Sequence, residues 1–129
     1  MKYDRIYLVD DEPLVNAIQS LMIRKHFSET ELVNFNTSTE ALKTITEADD
    51  ANEGVVLLLD LNMPVLDAID FLKELDKNNL SVYPDIYIIT ASANQKELDF
   101  VRKHRLVKDV IFKPLNDETI KALKVTLEG

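Results

Sequence analysis

The chain has 129 residues, the length of one ordinary domain, and its lack of cysteine excludes a disulfide framework and a thiolate metal site. Fifteen basic residues against 23 acidic ones leave a net charge of -8, which argues against a nucleic-acid-binding face. Two glycines and four prolines argue against disorder, and no run is long and apolar enough for a signal core or a membrane span, so the expectation is one soluble, cytoplasmic domain over residues 1–129.

Taken in order, Arg5-Ile6-Tyr7-Leu8-Val9 reads as a short buried strand ending in Asp10-Asp11-Glu12. Pro13 suits the first position of a helix, where its missing N–H costs nothing. Leu14, Ala17, Ile18, Leu21 and Met22 then fall at i, i+3, i+4, i+7 and i+8, which predicts one inward-facing apolar stripe on a helix ending near Lys25-His26. Residues 31–35 form a weaker strand, placed at or near an edge. Thr37-x-x-Glu40 resembles a capping box opening a second helix with Ala41, Leu42, Ile45 and Ala48 on one side. A polar loop closes on Gly54. Val55-Val56-Leu57-Leu58-Leu59-Asp60 follows, a continuous apolar run as expected of a central strand covered on both faces. After Pro64 a third helix is predicted to carry Leu66, Ile69, Leu72 and Leu75. Residues 85–90 read as a fourth strand. Asn94-x-x-Glu97 caps a fourth helix with Leu98 and Val101 inward, residues 109–113 form a fifth strand stopped by Pro114, and a last helix from Asn116 turns Ile120, Leu123 and Leu127 inward.

Five strands alternating with five helices predict an α/β fold, a doubly wound parallel sheet with right-handed crossovers. In such a fold the carboxyl ends of all strands share one edge, where ligands bind. The sequence places Asp10, Asp11 and Glu12 there from the first strand. The third delivers Asp60 with Asn62 just beyond, the fourth Thr90 and Ser92, and the fifth Lys113. Crowded carboxylates repel, and a hard divalent cation such as Mg2+ relieves them. Asp11 and Asp60 read as direct ligands and Asp10 as acting through water. A carboxylate can also serve as a phosphoryl-accepting nucleophile, with a hydroxyl (Thr90) and an ammonium (Lys113) available to the phosphoryl oxygens. Each group has a plainer role: the acids can cap a helix, Thr90 is a β-branched strand residue, and Lys113 is a solvated charge before a turn. Their convergence on one edge favours the chemical reading.

Val9-Asp10-Asp11-Glu12-Pro13, Asp60-Leu61-Asn62-Met63-Pro64, Thr90-Ala91 and Lys113-Pro114 together resemble the signature of the response-regulator receiver domain of two-component signalling. The resemblance covers essentially the whole chain and implies a stand-alone receiver with no output domain. It implies a flavodoxin-like sheet of order 2-1-3-4-5, with Asp60 taking a phosphoryl group from a phosphohistidine on a histidine kinase or histidine phosphotransfer protein. It further implies Mg2+ held by Asp10, Asp11, the Asp60 side chain and the Asn62 backbone carbonyl, with Thr90 and Lys113 binding the phosphoryl group. A cis Lys113–Pro114 bond is implied as well. The chain would be no enzyme toward other substrates, catalysing only its own phosphorylation and dephosphorylation, and would act by changing its binding to a downstream protein.

Two departures stand out. The family usually has an aromatic residue where Val110 stands, while Phe112 is aromatic but adjacent to Lys113; the family often has glycine where Ala68 stands. The Val110 departure keeps open a receiver-shaped interaction module that does not respond to phosphate. Related hydrolases place their nucleophile in Asp-x-Asp on the first strand, which Asp10-Asp11-Glu12 does not match, and a flavin phosphate would meet an acidic first loop. His26 and His104 fall near helix C-termini, where an imidazole suits the dipole.

Overall fold

A computed structural model describes residues 3–128, so the sequence reading of Met1 and Lys2 lies outside the described residues. The elements are β1 (Arg5–Val9), α1 (Pro13–His26), β2 (Glu31–Phe35), α2 (Ser38–Ala48), a 3-10 turn (Asp49–Asn52), β3 (Val55–Asp60), α3 (Ala68–Asp76), β4 (Asp85–Thr90), α4 (Gln95–Lys103), β5 (Val107–Phe112) and α5 (Asp117–Glu128). All strand pairings are parallel and the order is β2-β1-β3-β4-β5.

The continuous apolar run predicted as a central strand is β3, with all six residues buried. Strand alternation sends its side chains to two cores. Leu57 and Leu59 join Tyr7, Val9, Ile86 and Ile88 against Ala41, Ile45, Phe71, Leu72, Leu75 and Val101 of α2, α3 and α4. Val56 and Leu58 join Ile6, Leu8, Tyr87 and Ile89 against Ile23, Ile120, Leu123 and Leu127 of α1 and α5. Each face thus buries a sheet layer on a helix layer, at about 25 cal/mol per Å2 of apolar surface removed from water.

Three sequence expectations change. The stripe predicted to face inward on α1 faces out: Leu14, Ile18 and Leu21 are 72%, 53% and 67% exposed, and the helix buries Asn16, Gln19, Ser20 and Ile23 instead. At 100° per residue the two stripes lie on opposite sides of the helix. The reason is tertiary. Asn16 Nδ2 donates to the carbonyls of Asp10 (3.1 Å) and Phe35 (3.2 Å), polar ends of neighbouring strands that need donors. Leu66 precedes α3 rather than riding on it. Asp67 caps that helix by accepting from the Asp70 amide at 2.9 Å, and Phe71 is the large anchor that the sequence reading missed. The fifth strand starts at Val107, two residues early, with a register irregularity opposite Ile86 and Tyr87. Its exposed Lys108 and Asp109 mask the strand pattern, as polar residues do on a sheet edge.

Other expectations hold. Asn94 and Glu97 form a reciprocal capping box on α4, Thr37 caps α2 by accepting from the Glu40 amide, and the Lys113–Pro114 bond is cis. Among the described residues no helix is long and apolar enough to cross a membrane.

Candidate functional site

Parallel pairing of β1, β3, β4 and β5 in register brings their carboxyl ends to one edge. Backbone bonds extend the sheet just past the strands: the Leu61 amide donates to Ile89 O (2.8 Å) and the Lys113 amide to Thr90 O (2.8 Å). These bonds fix where Asp60 and Lys113 leave the sheet.

Lys113 Nζ donates to Asp10 Oδ2 at 2.8 Å and reaches Asp60 Oδ2 at 3.4 Å. Asp10 is almost wholly buried; its Oδ1 accepts the Glu12 amide at 3.0 Å, and its Oδ2 also accepts Gln19 Nε2 at 3.2 Å. Asp60 Oδ1 accepts the Asn62 amide at 3.3 Å. Asp11 is half-buried and makes no hydrogen bond among the described residues. One carboxylate oxygen from each of Asp10, Asp11 and Asp60 lies within 4.8 Å of the others. Three hard oxygen donors this close, with a single ammonium among them, match the ligand preference of Mg2+.

Burial pushes the Asp60 carboxyl above the ordinary carboxylate range; the charge of Lys113 opposes this, and that of Asp10 assists it. Burial alone would lower the Lys113 ammonium. Its hydrogen bond to Asp10 and the charge of Asp60 outweigh that, so Lys113 is held above its usual value and remains charged.

The Thr90 hydroxyl does not point at Asp60. It donates to Ser92 O at 2.7 Å and accepts the Ser92 amide at 3.2 Å. Asn62 Nδ2 donates to the same Ser92 carbonyl at 3.1 Å, which ties the loop after β3 to the loop after β4. Val65, in the loop after β3, sits in the left-handed region with φ 69° and is 98% exposed, a backbone state that costs a β-branched residue about 1–2 kcal/mol. Ala68 is fully buried at the start of α3. Val110 packs inward against the α3–α4 core, and Phe112 pairs in register with Thr90 while remaining 48% exposed.

The structure therefore brings oxygens of Asp10, Asp11 and Asp60 together, with Lys113 on Asp10 and Asp60. The buried Thr90 hydroxyl and the Asn62 side chain are turned toward Ser92 instead. Gln19 belongs to the same network but lay outside the sequence reading; a polar stripe of Asn16, Gln19 and Ser20 at helical spacing was the available signal. Each histidine is paired with a different carboxylate from those of the site. His26 Nε2 is 2.9 Å from Asp117 Oδ1 and His104 Nε2 is 2.8 Å from Asp76 Oδ2.

Beside the site, Val15, Ile18, Gln19, Ala91, Lys113, Pro114 and Leu115 line a groove of about 370 Å3. It opens between the outer face of α1 and the turn that carries Lys113.

Comparison with known proteins agrees with this arrangement. The chain is 26% identical over 118 residues to a probable C4-dicarboxylate response regulator, DctR, of Halalkalibacterium halodurans, covering 92% of this chain and 48% of that protein. The chain spans about half the length of the curated relatives it matches. A response regulator receiver domain from Rhodospirillum rubrum superimposes with a TM-score of 0.76 at 25% identity, covering 96% of this chain and 93% of that one. The phosphorylated cyanobacterial phytochrome response regulator RcpA superimposes with a TM-score of 0.75 at 22% identity, covering 98% and 92%. The profile of the response regulator receiver domain matches residues 6–124, and the chain belongs to that family.

Proposed function

We propose that Asp60 accepts a phosphoryl group from a phosphohistidine on a histidine kinase or histidine phosphotransfer protein, and that the modified chain changes which downstream protein it binds. The observation that carries this reading is the Asp60 carboxylate at the end of the central strand, with Lys113 Nζ at 3.4 Å and oxygens of Asp10 and Asp11 close by. In the transfer, an Asp60 carboxylate oxygen attacks phosphorus and a P–O bond forms. The P–N bond breaks, its electron pair leaves on the imidazole nitrogen, and that nitrogen takes up a proton. Lys113 swings from the carboxylates toward the phosphoryl oxygens, and the Thr90 hydroxyl exchanges Ser92 O for the same oxygens.

Asp11, the Asp60 side chain and the Asn62 backbone carbonyl would hold Mg2+ directly. Asp10 would act through water, because its two oxygens already accept three protein donors. Bound there, Mg2+ would neutralise charge on the transferring group. The donor protein would dock on the exposed Leu14, Ile18 and Leu21 of α1. That apolar stripe beside the Lys113 groove suits an apolar helix that presents its histidine toward Asp60. The chain works as one receiver unit in the cytoplasm and is no enzyme toward other substrates.

A second reading has one observation in its favour. With Val110 inward, the route from Thr90 to the surface lacks a buried aromatic to move, as a receiver-shaped module that binds partners without switching would. Two measurements separate the readings from each other and from failure. The chain is incubated with Mg2+ and acetyl phosphate and then weighed. Wild type gains one phosphoryl mass and Asp60→Asn gains none; equal labelling of the two, or none of either, overturns the proposal. Beryllofluoride binding that leaves amide signals beyond the pocket unmoved would select the non-switching module.

A further inference from the structure

We infer that Gln19 is a positioning residue for the phosphoryl group, holding Asp10 in place when Lys113 leaves it; the inference rests on the function proposed above. The buried face of α1 is polar, which is costly unless every group finds a partner. Asn16 is satisfied by strand-end carbonyls, and the one Ser20 Oγ proton has Asn16 O at 2.7 Å and Asn34 Oδ1 at 2.9 Å as acceptors. Those two residues serve the frame. Gln19 serves the site: it is 4% exposed, and its Nε2 donates to Asp10 Oδ2 at 3.2 Å.

That oxygen has two donors, because Lys113 Nζ also reaches it, at 2.8 Å. The ammonium lies nearer Asp10 than Asp60, whose Oδ2 is 3.4 Å away. To meet a phosphoryl group on Asp60, Lys113 must give up part or all of its bond to Asp10. With Lys113 in place Asp10 is 1% exposed, so side-chain and backbone donors, rather than bulk water, satisfy its oxygens. A buried carboxylate that loses a charged donor is left with an unmet desolvation cost and is free to rotate. Gln19 removes both consequences. Its amide stays on Oδ2, and with the Glu12 amide on Oδ1 it keeps the carboxylate in one rotamer. Gln19 thus acts through Asp10, lowering the cost of moving Lys113 and leaving Asp10 aimed at the metal site.

The test uses the whole chain and measures beryllofluoride binding in saturating Mg2+ by titration calorimetry. Gln19→Met keeps the size and removes the donor. It is expected to bind beryllofluoride about tenfold more weakly than wild type, since a hydrogen bond to a charged group is lost in the bound state. Metal-free melting should change little, because Lys113 still holds Asp10 in that state. The decisive comparison repeats the substitution in Lys113→Ala, where there is no ammonium to move. There Gln19→Met should add less than a twofold loss. Gln19→Glu, of the same size but presenting an acceptor to Asp10, should lose at least as much as Gln19→Met in the wild-type background. Equal losses in both backgrounds, or Gln19→Met binding within twofold of wild type, would make Gln19 merely structural and overturn the inference. If wild type itself neither binds beryllofluoride nor gains a phosphoryl group, it is the function proposed for the site that falls.

Discussion

Burial works against the charge that Asp60 needs. The folded chain holds a proton on this carboxyl more tightly than the unfolded chain does, first because of desolvation and then because Asp10 is near, against the pull of Lys113. The linkage has a definite sign: a carboxyl raised in the folded state contributes stability below the ordinary carboxylate pKa, and that contribution is lost as pH rises through the folded value. At neutral pH the ionised Asp60 is therefore destabilising. In metal-free buffer Asp60→Asn should melt above wild type at pH 7, and the gap should shrink as pH falls toward 4. Melting curves across that range check it, and a wild type as stable as the variant throughout would contradict it. The same tension makes the site ready for a cation or a phosphoryl group with its metal, since either replaces missing solvation with fixed charge.

Among the elements, α1 and β5 carry the information that repays testing. α1 is held to the sheet by amide and hydroxyl bonds and by Ile23, while Leu14, Ile18 and Leu21 face outward and are mostly exposed. Replacing all three with serine should change folding stability by no more than about 1.5 kcal/mol, at about 0.5 kcal/mol for each exposed position. If the stripe docks the donor, the variant should gain phosphate from acetyl phosphate at the wild-type rate. Its transfer from a phosphorylated histidine phosphotransfer partner should fall by at least tenfold. Parallel mass measurements with the two donors separate these effects, and equal transfer from the protein donor would remove α1 from the docking face. On β5, Val110 packs into the α3–α4 core while Phe112, two residues on and on the same strand face, stays half-exposed at the rim.

For the molecule as a whole, the site joins both layers. β1 and β3 lie side by side at the centre of the sheet, contribute to both cores, and end in Asp10 and Asp60. A cation bound at their shared edge should stabilise the entire fold by mass action, about 2.7 kcal/mol at a free concentration one hundred times its dissociation constant. Mg2+ should accordingly raise the melting temperature of wild type. Asp11→Asn should lose that rise while melting normally without metal, because Asp11 is half-buried and makes no hydrogen bond among the described residues. An undiminished rise in Asp11→Asn would take Asp11 out of the ligand set.

The alternation of strands and helices was legible because apolar runs of five or six residues and helical stripes are local patterns, and because Pro13, Asn94 and Pro114 mark boundaries by local sterics and capping. Parallel packing then put the acids and Lys113 on one edge by topology, so the gathering of Asp10, Asp11, Asp60 and Lys113 could be anticipated. The face α1 buries could not. Periodicity reveals stripes, but the inner one was selected by the carbonyls of Asp10 and Phe35, which become neighbours only once β1 and β2 pair. Likewise Lys113 joins Asp10, and Asn62 joins Ser92 O, through distances that exist only in the assembled sheet. Hydrogen bonds of a few ångströms between distant segments leave no period in a chain, and for Asp60 this folded neighbourhood sets the proton affinity and the donors within reach.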